Sequence, residues 1–195
     1  MSVLTDREMT KRSDFNLVHR DKGSGARAGV LQTAHGSVET PVFMPVGTQA
    51  SVKTVSNAEL LQAGAQIVLS NMYHLFLRPG EKLIGEAGGL HRFMNWPKPI
   101  LTDSGGFQIF SLPAYRKVKA DGVEFKSHID GSKCFLTPQD VVRIQHTLGS
   151  DILMPLDECL PHPVERDEVA RSIRLTREWA AMSREAWAKA GEKSE

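Results

Sequence analysis

Four short apolar runs, each ending abruptly in polar residues or glycine, constrain the fold of this chain more than any other feature. They are VFMPVGT (42–48), QIVLSNMYH (66–74), PILTDSGG (99–106) and DILMPLDE (151–158). Each run is apolar at successive rather than alternate positions, which is typical of strands covered on both faces. Helix-like segments follow the runs. The pattern predicts about four βα units, and therefore either a doubly wound sheet or a barrel.

Three segments carry the signals expected of helices. SNAELLQAGA has Ser56 as its N-cap, and TPQDVVRIQHTLGS has Thr137 as N-cap, Pro138 in its first turn and Gly149 at its end. The last segment, from about residue 166 to residue 189, repeats apolar residues at helical spacing. We expect that face to pack on the fourth strand through Val169, Ile173, Ala180 and Trp187.

Two regions depart from the βα pattern. FNLVHR and ARAGVLQTAHGSVETPVF indicate short antiparallel strands at the beginning of the chain. GVEFKSHIDGSKCFLTP (122–138) indicates a hairpin inserted between the third strand and its helix, with Asp130 and Gly131 in a tight turn. The chain should therefore combine an antiparallel N-terminal sheet, parallel strands and one insertion.

Composition limits the class of protein. The chain has 195 residues, of which 41% are apolar and 24% charged, as in a soluble globular protein. Residues 1–14 are expected to be flexible and residues 15–195 to form one domain. Cys134 and Cys159 are too few for a disulfide framework and lack zinc-site spacing. With neither a signal peptide nor a membrane anchor, the sequence predicts a cytoplasmic protein.

Charge and histidine spacing give few functional signals. A net charge of +1 means that an RNA partner would have to be held by local patches such as Lys117, Lys119 and Lys126. His74 follows the second strand beside Tyr73, where support of the loop is the favoured role. The other histidines lack ligand spacing and are interpreted as surface or capping residues; they are His19, His35, His91, His128, His146 and His162.

Two carboxylates stand at the polar ends of neighbouring runs. Either Asp103 or Asp157 alone would be interpreted as a helix cap or a loop ligand. Both together favour a site, because the carboxyl ends of parallel strands meet at one edge. Partial burial at that edge should raise the pKa of Asp103 and suit it to carry a proton.

The residues around the carboxylates suggest recognition of a flat base. Ser104 is followed by Gly105 and Gly106, which allow close backbone approach and leave amides to donate. Phe107 could stack on a purine, although a core aromatic is the commoner role for a phenylalanine. Asp157 has two acceptor oxygens for the two adjacent donors of guanine, and adenine lacks both of those donors.

These motifs resemble those of the tRNA-guanine transglycosylase family. FMPVGTQASVK, NMYHLFLRPG, GGLHRFMNWPKPILTDSGGFQIFSL, FKSHIDGSKCFLTP and GSDILMPLDEC occur in the family's order and spacing, over about residues 15–190. Cys159, after the acidic pair, is similar to the bacterial branch. The resemblance implies the N-terminal part of a (β/α)8 barrel with an antiparallel N-terminal sheet, left unclosed by this chain.

The resemblance also implies an activity and a set of residues. The family exchanges guanine at the tRNA wobble position for a 7-deazaguanine, either queuine or its precursor, by double displacement. A nucleophilic aspartate attacks ribose C1′, and a second aspartate deprotonates the incoming base. By matching motif, Asp103 is that second aspartate, Asp157 binds the base edge, and the pocket is lined by Ser104, Gly105, Gly106 and Phe107.

Other family features have no counterpart in this sequence. The family's nucleophile, a later pocket segment and its Cys/His zinc ligands belong downstream of residue 195. The chain is therefore expected to be a fragment or a truncated product, inactive and prone to associate when isolated, whereas the full-length protein would bind zinc and form a homodimer. The alternatives are an archaeal-type transglycosylase and a non-catalytic RNA-binding or partner subunit.

Overall fold

The structure, a computed structural model, describes residues 14–112 and 115–192, except for the side chains of the last two. In chain order the elements are β1 (Phe15–Arg20), β2 (Arg27–Thr33), β3 (Gly36–Thr40), α1 (Asn57–Gln62), β4 (Val68–Ser70), α2 (Met72–Leu77), α3 (Glu81–Glu86), α4 (Leu90–Met94), β5 (Ile100–Thr102), α5 (Gly106–Ser111), β6 (Arg116–Lys119), β7 (Gly122–Lys126), β8 (Lys133–Leu136), α6 (Pro138–Leu148), β9 (Ile152–Leu153) and α7 (Arg166–Glu192). Within these residues the strands form three separate three-stranded sheets.

The N-terminal sheet is antiparallel, as the sequence predicts. Its strands lie in the order β1-β2-β3. Val38 of β3 is 1% exposed and forms a small apolar cluster with Ile67 and Leu101, so this sheet packs against the parallel strands. The flexibility expected of the N-terminus falls almost entirely on residues 1–13, which lie outside the described residues.

The parallel sheet has three strands, in the order β4-β5-β9, rather than four. The first apolar run contributes only an isolated parallel bridge from Val46 to Leu69. Pro45 in this run has no N–H to donate, and Phe43 is 80% exposed instead of being covered on both faces. The chain is therefore an α/β protein with an open parallel sheet, and the prediction of about four βα units is not confirmed.

The capping signals of two helices are confirmed. At α1, Ser56 accepts from the amide of Glu59, whose carboxylate accepts in turn from the amide of Ser56. Thr137 and Asp140 form the same reciprocal pair at the start of α6, and Gly149 ends that helix with a φ of 73°. No helix among the described residues is long and apolar enough to cross a membrane.

Within residues 122–138, β7 and β8 pair as an antiparallel hairpin, as expected, and β6 extends the insertion to a three-stranded sheet in the order β6-β7-β8. The turn between β7 and β8 is longer than predicted. It is closed by a 2.8 Å hydrogen bond from the amide of Ser127 to the carbonyl of Ser132. Of the two predicted turn residues only Gly131 has a positive φ, whereas Asp130 accepts from Ser132. The predicted tight turn is therefore wrong.

α7 packs through a different face from the one expected. Val169, Ile173 and Trp187 are 36%, 56% and 54% exposed, so they do not cover the fourth strand. The helix instead contacts α6 and the insertion, with Ser172, Trp179 and Ser183 buried. Sequence spacing alone favoured the larger apolar residues, whereas the small serines allow α7 to approach its neighbours closely.

Trp179 should dominate the docking of α7. It is 1% exposed, and its indole N–H donates to the carbonyl of Ala120 at 2.8 Å. We expect Trp179→Ala to lower the free energy of unfolding by about 3–5 kcal/mol, because it leaves a large cavity. Trp179→Phe keeps an aromatic ring but loses the hydrogen bond to Ala120. Loss of this bond should lower the free energy of unfolding by about 1 kcal/mol, in addition to the effect of the smaller ring. Urea denaturation measures both free energies of unfolding. An equal decrease in Trp179→Ala and Trp179→Phe would contradict the dominant role of the buried ring.

Candidate active site at the carboxyl ends of the parallel strands

The chain turns from strand to helix within the second apolar run. β4 ends at Ser70 and α2 begins at Met72, so Tyr73 and His74, which are expected to follow the strand, lie in the helix. The helix turns apolar side chains of α2 into the core. Asn71 therefore lies at the junction of strand and helix, beside Asp103 at the end of β5.

Asp103 is held by four donors. Its carboxylate accepts from the amide of Met72 and from the side chain of Gln108, each at 3.0 Å, from the side chain of Asn71 and from the amide of Gly105. Burial raises the pKa of Asp103 above its usual value, and these hydrogen bonds to the charged form act in the opposite direction. The group is thus oriented and its pKa moved toward neutrality, which suits proton transfer.

Removing one donor should move this pKa further. Because Asn71 stabilises the ionised form of Asp103, we expect Asn71→Ala to raise the pKa of Asp103 beyond its already raised value. NMR titration of the Asp103 carboxyl carbon measures the midpoint. Asn57→Ala is the matched control, since Asn57 donates to the carbonyls of Met94 and Asn95 and not to Asp103. If the titration midpoint of Asp103 in Asn71→Ala were equal to or lower than that in the wild type, Asn71 would not stabilise the ionised form of Asp103.

Ser104 joins the ends of the two neighbouring strands. Its hydroxyl donates to Asp157 Oδ1 at 2.9 Å, while the thiol of Cys159 donates to Asp157 Oδ2 at 3.6 Å. The structure thus brings Asp157, which follows β9, to the loop that follows Asp103 on β5. The expectation that both carboxylates lie at one edge of the parallel sheet agrees with this geometry.

Both glycines of the loop make close approaches. Gly105 has a φ of +80°, and a Cβ there would lie 3.0 Å from the Cβ of Tyr73. A Cβ on Gly106 would meet the backbone oxygen of Asp157 at 2.6 Å. Their amides are not free, however, because they already donate to the side chains of Asp103 and Ser104. The loop therefore serves close packing, and the expectation of free donors is not met.

Phe107 is exposed rather than buried. It lies in the first turn of α5 with 63% of its surface accessible, and its ring is 6.4 Å from that of Phe110. A core role for this ring is therefore excluded within the described residues. Phe107 follows the loop after Asp103 directly in the chain, and its exposed ring is available for stacking.

Three histidines without ligand spacing in the sequence make side-chain contacts in the fold. His128 of the insertion accepts from or donates to the hydroxyl of Tyr73 at 2.9 Å, and burial raises the pKa of Tyr73 to about 12. This contact ties the insertion to α2, in keeping with the support role favoured for Tyr73. His35 and His91 both contact Asp151. Only the folded topology brings these distant positions together, so no local motif could have indicated them.

The fold and the geometry together define a class: an α/β protein with a candidate site of paired carboxylates at the carboxyl ends of parallel strands. A family model described as queuine tRNA-ribosyltransferase matches residues 21–195. Three relatives bear that same name. The one from Thermoanaerobacter sp. (strain X514) is 59% identical over 88% of this chain, that from Desulforudis audaxviator (strain MP104C) 58% over 89%, and that from Halalkalibacterium halodurans 57% over 85%.

The chain belongs to the queuine tRNA-ribosyltransferase family, which confirms the resemblance. The alignments cover 46%, 46% and 44% of these three relatives. The chain therefore spans about half the length of the curated relatives it matches.

Proposed function

We propose that this chain supplies the base-recognition and proton-transfer part of a tRNA-guanine transglycosylase, a pentosyltransferase. The reaction is exchange of guanine at the tRNA wobble position for a 7-deazaguanine, the prequeuosine base or queuine, in queuosine biosynthesis. Membership of the family supports this assignment. The observation that carries it is the loop in which Ser104 links Asp157 to the segment that follows Asp103.

Asp103 is proposed as the general acid/base. An incoming 7-deazaguanine must lose a proton before it can attack a glycosyl intermediate, and an aspartate with a raised pKa accepts that proton more readily than an ordinary one. Asn71 and Gln108 orient the carboxylate before the base arrives. In the first displacement the protonated Asp103 would donate its proton to the departing guanine, and the carboxylate left behind would then accept the proton of the incoming base.

Asp157 is proposed to recognise the Watson–Crick edge of the base. Each carboxylate oxygen has two lone-pair sites, so the donors Ser104 and Cys159 leave capacity for the ring N1–H and the amine of guanine. Adenine lacks both donors and would leave the carboxylate unpaired. Specificity for guanine thus rests on a preoriented acceptor pair.

Phe107 and the glycines are proposed to shape the pocket. A base flipped out of the anticodon stack could place one face on the exposed Phe107 ring, a contact that contributes roughly 1–3 kcal/mol. Gly105 and Gly106 keep the floor free of side chains. Among the suggested RNA contacts, Lys119 is already paired with Glu124 at 2.9 Å, so any phosphate would compete with that ion pair.

The rest of the full-length machinery rests on resemblance alone. The nucleophilic aspartate, zinc binding and homodimer formation are proposed for the full-length protein. Cys134 and Cys159 belong to no group among the described residues that could hold a metal, so these cysteines do not fit the family's zinc site. The mechanism assigned to this chain uses no metal.

A chimera tests the proposal. In it, this chain is followed by the C-terminal half of the Thermoanaerobacter relative, to which it is 59% identical. We expect the chimera to incorporate labelled guanine into unmodified tRNA and to release it when a 7-deazaguanine is added. A folded chimera that binds tRNA without exchanging the base would favour the non-catalytic alternative instead.

A further inference from the structure

A buried carboxylate lies at the opposite end of the parallel strands from the candidate active site. Asp151 immediately precedes β9, and its side chain is 0% exposed. Among the described residues no lysine or arginine pairs with it, and the side chains that donate to it are two histidines. Burial alone would raise the pKa of Asp151, yet the hydrogen bonds from His35, His91 and Ile100 hold it well below its usual value. The carboxylate of Asp151 is therefore negatively charged at neutral pH.

Two imidazoles converge on this carboxylate. His35 Nδ1 lies 2.8 Å from Asp151 Oδ1, and His91 Nε2 lies 3.1 Å from Oδ2. The two rings are stacked, with centroids 3.5 Å apart and planes inclined by 16°. Each ring thus directs one nitrogen to the same small volume in front of the carboxylate.

We propose that His35, His91 and Asp151 form a binding site for one transition-metal dication of the zinc class. Imidazole nitrogens and a carboxylate are a donor set that such ions prefer. The ligand atoms of all three residues lie within 4.8 Å of one another. Neighbouring ligands that are each about 2.0–2.2 Å from zinc are separated by distances close to these nitrogen–oxygen contacts.

The surroundings of the carboxylate are compatible with a bound ion. The amide of His35 donates to Oδ1 at 3.1 Å and the amide of Ile100 donates to Oδ2 at 2.9 Å. These backbone donors fix the orientation of Asp151 and leave one lone pair of each oxygen facing the imidazoles. A dication there would also compensate a buried charge that has no lysine or arginine partner in the part of the chain that the structure describes.

Binding requires a shift of protons within the rings and a tilt of the stacked imidazoles that brings the ion into the plane of each ring. Without metal, the nitrogens that face Asp151 donate to it, whereas a metal needs their lone pairs. Each neutral imidazole can move its proton to its other ring nitrogen, so no net proton is released and no redox step occurs. The His35 and His91 side chains are 22% and 12% exposed, which gives water and the ion access.

The ion would join three separate elements. His35 lies in the turn between β2 and β3, His91 in α4, and Asp151 at the entry to β9. A metal bound by all three would hold the N-terminal sheet against the amino ends of the parallel strands. Its main effect should therefore be on the stability of this junction and not on base exchange.

Metal titration of the 195-residue chain tests the site. Metal-free protein is titrated with Co²⁺, whose d–d absorption reports coordination, and then with Zn²⁺ in competition. We expect one site per chain, weakened by at least about tenfold in His35→Gln and in His91→Gln. Glutamine can still donate to Asp151, so these variants keep a hydrogen bond while losing an imidazole ligand. His146→Gln, on the exposed face of α6, is the matched control.

Thermal unfolding is the second measurement. Zn²⁺ should raise the Tm of the wild-type chain and of His146→Gln, because it binds the folded state, and should leave the Tm of His91→Gln almost unchanged. Circular dichroism checks that each variant is folded before metal is added. Absence of saturable Co²⁺ binding, or equal affinity in the wild type and both histidine variants, would overturn the proposal and leave a hydrogen-bonded cluster only.

Discussion

Asp103→Asn is expected to lower the rate of base exchange by the chimera by about 10²–10⁴-fold, the usual contribution of a general acid/base. Asparagine keeps the shape of the side chain but cannot accept a proton from the incoming base. It can still accept from the amide of Met72, which lies 3.0 Å from Asp103 Oδ1 in the wild type. The loss should therefore fall on catalysis and not on folding.

Incorporation of labelled guanine into unmodified tRNA measures this effect. Asp130→Asn is the matched control, because Asp130 bonds only within the turn of the insertion and should keep normal exchange. The Tm of Asp103→Asn should stay near that of the unmodified chimera, because removal of a partly buried charge offsets the new amide nitrogen facing the donors Asn71 and Gln108. Near-normal turnover would show that another group transfers the proton.

The parts of the fold that the sequence predicted well are those set by local chemistry. Capping at Ser56 and Thr137, the antiparallel N-terminal strands and the strands that end before Asp103 follow from residue types within a few positions. The errors arise where packing between distant segments determines whether a run forms a strand or which face of a helix is buried. The first run has apolar residues but only bridges Leu69, and α7 buries Trp179 and two serines in place of Val169, Ile173 and Trp187.

The residues of the candidate site also fall into two groups, those that the local sequence indicates and those that only the fold reveals. The glycines after Asp103 and the position of Asp157 are visible in the sequence, and the structure links them through Ser104. The roles of Asn71 and Gln108 were not predicted, because each depends on where α2 and α5 begin. The cluster around Asp151 is the extreme case, since His35 is 116 residues and His91 60 residues from Asp151 along the chain, and only the fold brings them together.

The second large effect is expected at Asp157. Asp157→Ala should weaken binding of guanine or a 7-deazaguanine to the chimera by about 3 kcal/mol, because two charge-assisted hydrogen bonds to the base are lost. That free energy corresponds to an increase of roughly hundredfold in Kd. Asp157→Asn should be as damaging, since its amide would present a donor to the donors of the base.

Comparison with Ser104→Ala separates the recognition of the base by Asp157 from the orientation of Asp157 by Ser104. That variant removes the 2.9 Å hydrogen bond to Asp157 Oδ1 but keeps the carboxylate, so the loss should be nearer to the roughly 1 kcal/mol of one ordinary hydrogen bond. Calorimetric titration with guanine and with adenine measures both affinity and selectivity. The wild-type chimera should reject adenine, and the preference for guanine should collapse in Asp157→Ala, where no buried acceptor is left unpaired. Unchanged affinity for guanine, or selectivity that survives removal of the carboxylate, would mean that another group recognises the base and that Asp157 only holds Ser104 and Cys159 in place.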